Sequence, residues 1–168
     1  ALLMRLSIPI MLQTGVNSIG FLILQRLINS FGAPSIEGYA AMLKVEQLAH
    51  IPSQSFNVAI SSFAGQNIGA EKLDRARRGY RTTILMGVLI SISISIVVLL
   101  FDRPLLQIFN ITGESLLRAK EHLDILMFFI WTSTITNITC GFLQGAGDVK
   151  IPAASGFINL GIRLALSF

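Results

Sequence analysis

"TTILMGVLISISISIVVLLF", residues 82–101, runs for 20 positions without an Asp, Glu, Lys or Arg, and its reading decides the fold. Its centre, "SISISIVV", alternates apolar and polar side chains as a half-buried β-strand does in water. The setting argues otherwise. An α-helix needs about 20 apolar residues to cross ~30 Å of hydrocarbon, whereas an open strand there leaves edge groups unpaired at several kcal/mol each. Charge-free runs of similar length at 6–25 and 125–146 repeat the pattern and are far longer than the ~10-residue strands of a membrane barrel. The stretch therefore reads as a spanning helix.

Composition agrees. Of 168 residues, 52% are hydrophobic and 13% charged, with a mean hydropathy of +0.68, against about a quarter charged in soluble domains. The net charge of +4 sits in connections between apolar spans rather than on one face, so no nucleic-acid partner is expected. Cys140, the single cysteine, leaves no internal disulfide. The chain starts on Ala1 and stops on the still-apolar "IPAASGFINLGIRLALSF", so it reads as a fragment; its first apolar stretch is too long for a signal peptide and lacks a small-residue cleavage site.

The pattern predicts five spanning helices, at about 4–29, 36–64, 82–101, 122–146 and 151–168. The second is unusual. Glu37, Lys44 and Glu46 fall in its first turns, and Pro52 is expected to break its middle, which a span tolerates where a cavity or neighbouring helices satisfy the freed carbonyl. A hydrophilic connection, "DRPLLQIFNITGESLLRAKEHLD", joins the third span to the fourth.

Orientation follows from cation counts, because loops rich in Lys and Arg stay cytoplasmic. Lys72, Arg75, Arg77, Arg78 and Arg81 crowd one loop, with Arg5 and Lys150 on the same side. Residue 1 and the loops 65–81 and 145–150 are thus expected in the cytoplasm. The charged stretch "GQNIGAEKLDRARRGYR", 65–81, is no phosphate loop: Gly65 to Gly69 is one residue short, and Ala70-Glu71 replaces Lys-Ser/Thr. Glu71 and Asp74 precede Arg75 and Arg78 by four residues, the favourable order for helical ion pairs. With Leu73, Ala76 and Tyr80 as an apolar stripe, 70–81 reads as a separate helix along the interface, its cations facing membrane lipid.

Three stretches, "RLSIPIMLQTGVNSIGFLILQRLINSFG" (5–32), "IEGYAAMLKVEQLAHIPSQSFNVAISSFAGQNIGAEKLDRARRGYR" (36–81) and "GFLQGAGDVKIP" (141–152), stand in an order and spacing that resembles the C-terminal half of the multidrug and toxic compound extrusion (MATE) family. The motif positions are Pro52, Gly65, Gln66, Gly69, Ala70, Gly145, Gly147, Asp148 and Pro152. The resemblance implies an all-α membrane protein: five transmembrane helices of a six-helix lobe in a MATE/MOP-type transporter fold, completed by a missing N-terminal lobe. It implies a secondary active antiporter, not an enzyme, that exports drugs or organic cations in exchange for H⁺ or Na⁺ by alternating access, in the inner membrane of a bacterium or archaeon. No cofactor is implied. Where some members bind the coupling ion in this lobe through a Glu and an Asp, this chain has Asn17 and Ser133, which do not ionise, so the ion is expected in the missing lobe. A flippase for lipid-linked oligosaccharides is the alternative within the superfamily, resting on Arg163; a non-transporting membrane protein is another.

Polar residues within spans tend to face the bundle interior or a cavity. Gln13 and Asn17 share one helix face, as do Ser53 and Asn57 after Pro52, and Asn137 and Gln144 later on; these six are candidates for an uncharged substrate path. The competing reading is hydrogen bonding between helices. Lys44 and Glu46 are expected to reach the outer interface, and His50 to donate to a nearby carbonyl. Gly141 and Gly145 make a GxxxG packing surface. Asp148 is placed to cap the fifth helix.

Overall fold

The computed structural model describes residues 11, 15, 18, 20–23, 25, 26, 28, 29, 32–109 and 111–156. Among them there is no strand. Four helices follow one another: α1 (Ala33–Gly69), α2 (Leu73–Leu100), α3 (Asp102–Gln107) and α4 (Gly113–Gly145), and the chain is helical again over 150–156. α2 and α4 are each long and apolar enough to cross a membrane.

The alternating serines resolve into a helix. Ser91 and Ser95, four residues apart, are buried, while Ser93 between them is exposed and returns its hydroxyl to the Leu89 carbonyl at 2.8 Å. Ser95 instead donates across to the Met127 carbonyl of α4 at 2.6 Å. Period four has replaced period two. Most other hydroxyls are satisfied within their own helix, as those of Thr83, Thr134, Thr136 and Thr139 are, which keeps donors paired where water is absent.

Three boundaries differ from the sequence pattern. No separate interfacial helix forms at 70–81: α2 begins at Leu73 and continues unbroken into the apolar run. Its basic first turns are a collar on a spanning helix, because nothing between Tyr80 and Ile84 terminates the hydrogen-bond ladder. Similarly α4 starts at Gly113 rather than near 122, taking up most of the hydrophilic connection, and α1 extends through Gly69. Polar turns beyond the hydrocarbon stay helical, while a hydropathy pattern registers only the apolar part.

Pro52 does not break α1. It deprives the Leu48 carbonyl of its N–H donor, yet the helix is held against α4 on both sides of that point. At one end Gly38 lies so close that an added Cβ would stand 2.5 Å from the Ser115 carbonyl oxygen. At the other, a Cβ on Gly141 would stand 2.5 Å from the Asn57 carbonyl oxygen, and one on Gly145 would collide with that of Ser61. α1 and α4 therefore run parallel, with α2 antiparallel beside both. One core joins Met42, Val45, Leu106, Leu123, Met127 and Ile130 at the end remote from the basic collar.

Candidate functional site

The polar residues of α1 and α4 assemble into a seam. Asn57 Nδ2 donates to the Asn137 carbonyl oxygen at 2.6 Å, and Asn137 Nδ2 donates to Ser53 Oγ at 3.2 Å. Ser53 is 4% exposed, so these bonds replace water that cannot reach it. Three of the six path candidates thus form one inter-helix network. Gln144 lies about two turns beyond Asn137, half-buried. Gln13 and Asn17 lie outside the described residues, as does Arg163.

Glycine and serine complete the seam towards the basic end. With Gly145 backed onto Ser61 and Gly65 within reach of the Gly145 carbonyl, the two backbones meet without side chains between them. Gly65, though exposed, thus lies within α1 and faces the Gly145 carbonyl. The turn that ends α1 comes from the residues after it: the N–H groups of Ala70, Glu71 and Lys72 return to the carbonyls of Gln66, Ile68 and Asn67. Buried Asn67 adds a 2.7 Å bond to the Phe63 carbonyl.

Within the collar the expected ion pairs give way to other contacts. Glu71 precedes the helix with φ 60°, so it is not on the face of Arg75, whose guanidinium lies 5.9 Å above the Phe63 ring. Arg78 Nε donates to the Asp74 backbone oxygen at 3.4 Å. Tyr80, absent from the polar candidates, latches α2 to α4 through a 2.9 Å hydroxyl bond with Thr139 and a ring contact with Phe142 at 4.7 Å. Its place as a polar-tipped aromatic at a helix start is the signal that marks it. After α4, Gly147 takes φ 85°, Asp148 accepts the Lys150 N–H at 3.0 Å, and Pro152 is fully buried in the helical stretch that follows.

The opposite end carries charge inside the fold. The Asp102 carboxylate of α3, with 8% of its side chain exposed, pairs with Lys120 of α4, and Lys120 also approaches Asp124 at 3.9 Å. Ser115 donates to Glu37 at 3.2 Å, and Arg118 bridges Glu114 and Ser35. Lys44 lies 5.1 Å over the Phe109 ring. Glu46 is half-buried: its carboxylate is 3.8 Å from His50 Nε2, and the two border an open cavity of about 60 Å³ with Leu126, Met127, Phe129, Ile130 and Ser133 of α4. The four-residue spacing of Glu46 and His50 marks them as partners, a signal missed when each is read alone.

Long apolar helices, packed through glycine contacts with their hydroxyls and amides satisfied internally, define an integral membrane protein. The MatE family pattern matches residues 9–168, and the chain belongs to that family. It is 25% identical to the "Probable multidrug resistance protein YoeA" of Bacillus subtilis (strain 168), over 99% of this chain and 36% of the relative. It is equally 25% identical, with the same coverage, to the "Probable multidrug resistance protein NorM" of Thermotoga maritima. The chain thus spans about a third of these relatives' length. Among solved structures it superposes on a MOP superfamily transporter from Pyrococcus furiosus with a TM-score of 0.93, at 21% identity, over 99% of this chain and 37% of that one.

Proposed function

We propose that this chain is part of a secondary active antiporter that exports drugs or organic cations in exchange for H⁺ or Na⁺ by alternating access. The family match over residues 9–168, with relatives that carry multidrug resistance names, is the observation that carries this reading. The geometry supports it: α1 and α4, joined along a dry seam, form the kind of rigid element that alternating access moves as a unit. Substrate contact falls to Gln13, Asn17 and Gln144 more than to Ser53, Asn57 and Asn137, whose polar groups hold the seam. The orientation that puts the collar in the cytoplasm, where anionic lipid and the rest of the chain surround it, rests on its cations.

The test is dye retention in an efflux-deficient cell expressing the full-length parent gene. Retention should fall, and imposing a pH or Na⁺ gradient should change the rate. Unchanged retention of several dyes under both gradients overturns the reading.

A further inference from the structure

The outward faces of α1 and α2 differ in chemistry, and so in what each is suited to meet. On α1 the exposed side carries Gln47, Gln54 and Ser62, groups that hydrocarbon penalises and that protein or water satisfies. On α2 it carries Leu85, Leu89, Ile92 and Ile96, between 41% and 60% exposed. The hydroxyl of Ser93 beside them is already returned to the Leu89 carbonyl. Contacts between membrane helices favour small residues, yet no glycine or alanine of α2 is exposed: Ala76 and Gly87 are buried and Gly79 is half-buried. This rail of large side chains suits acyl chains rather than another helix.

Towards the collar the same side of the helix turns cationic. Leu85 follows Arg81 by four residues and Arg78 by seven, so the three share one side of α2, and Arg77 lies one turn before Arg81. All three arginines are exposed. From Leu85 to Ile96 the rail runs about 16 Å at the helical rise of ~1.5 Å per residue, close to one leaflet of a ~30 Å hydrocarbon core. The phosphate and an acyl chain of one lipid thus both find partners on a single helix face.

These cations are also uncommitted. Arg75 is the one drawn towards α1, over the Phe63 ring. Among the described residues Arg77 and Arg81 have no hydrogen-bond or ion-pair partner, and Arg78 has only its 3.4 Å bond to the Asp74 backbone oxygen. The acidic side chains nearest in sequence are Asp74 and, in the turn before the helix, Glu71; neither forms an ion pair with the three arginines. Like charges four residues apart, as Arg77 and Arg81 are, repel along a helix. An anion between them removes that repulsion, and the guanidinium fork matches phosphate oxygens in pairs.

We propose that this face of α2 binds one anionic phospholipid, with its phosphate held by Arg77, Arg78 and Arg81 and an acyl chain laid along Leu85, Leu89 and Ile92. The rail selects a lipid over a soluble anion, which has no use for it. The arginines select against a zwitterionic lipid, whose own cation they oppose. The site is independent of the antiporter reading, because it needs neither transport nor a coupling ion.

The test uses the full-length protein in phosphatidylcholine nanodiscs doped with phosphatidylglycerol that carries a photoactivatable diazirine in its acyl chain. After illumination, peptide mass analysis should find the adduct within residues 85–92. The same label on phosphatidylcholine should mark that stretch about fivefold less or weaker still, the scale of one cation at an anionic surface. Arg78→Gln combined with Arg81→Gln should lower phosphatidylglycerol labelling to the phosphatidylcholine level, while Lys at both positions, which keeps the charge, should preserve most of it. As a second readout, replacing part of the phosphatidylcholine by phosphatidylglycerol should raise the thermal midpoint of the parent protein, and Arg77→Gln with Arg81→Gln should abolish the rise.

Equal labelling of 85–92 by the two lipids overturns the proposal. So does phosphatidylglycerol labelling that survives the Gln pair, or an equal loss in the Gln and Lys pairs. If neither lipid labels 85–92, protein covers the rail and the proposal falls. Inorganic phosphate that competes the label away would make the site one for a soluble anion, and overturns it as well.

Discussion

The same two helices, α1 and α4, meet twice in different ways. Towards the basic collar they touch backbone to backbone, through Gly141, Gly145 and Ser61, with Ser53, Asn57 and Asn137 cross-linked by hydrogen bonds. Away from it they touch through larger side chains such as Met42, Leu123 and Met127, and leave a cavity beside Glu46 and His50. Polarity inside a membrane span therefore serves two ends here. Amides whose donors are taken fix a distance, while Glu46 and His50 stand beside unfilled space.

Crowding the close contact should have the largest effect. Gly145→Leu drives a side chain into the Ser61 backbone, where no flexible neighbour can yield, and should destabilise the full-length protein by about 3 kcal/mol or more. Loss of a monodisperse peak in detergent would show it. At the other end, Lys120→Met strands the buried Asp102 carboxylate; with Lys120 itself 34% exposed, the expected cost is about 2 kcal/mol, read as a lower thermal midpoint.

Asn57→Leu removes one inter-helix bond from the seam, and about 1 kcal/mol is the scale for such bonds within membranes. The thermal midpoint should drop modestly while substrate affinity stays put; a large affinity change with no stability change would return Asn57 to the substrate path. Ser133→Val should do least, within about 0.5 kcal/mol, because the added methyls enter existing space. If Ser133→Val proved as damaging as Gly145→Leu, the contrast between the two halves would collapse.

Much of this was legible in the sequence, but unevenly. The charge-free runs identify α2 and α4, and the ordered motifs identify the family, because burial in lipid leaves few compositions open. Helix starts were not legible: residues 73–81 and 113–121 carry the charges of a loop, yet helix continues through them once a spanning segment has nucleated it. Spacing of four placed Ser53 with Asn57 correctly on one face. It did not say what that face meets, because a seam and a cavity demand the same periodicity. The four-residue spacing of Glu46 and His50 was equally visible, but reading each alone does not show the pair.

Gly38 and Gly65 are 27 residues apart, roughly 40 Å along an α-helix, and each brings α1 hard against α4. A beam clamped to its neighbour at both ends cannot slide, shorten or twist independently of it. Torque applied at the collar must arrive undiminished at the far face, so any hinge belongs in the connections, such as the turn at Ala70 and Glu71, and not in the pair itself. Two spin labels, one on each helix, should keep a constant distance through every state of the working cycle.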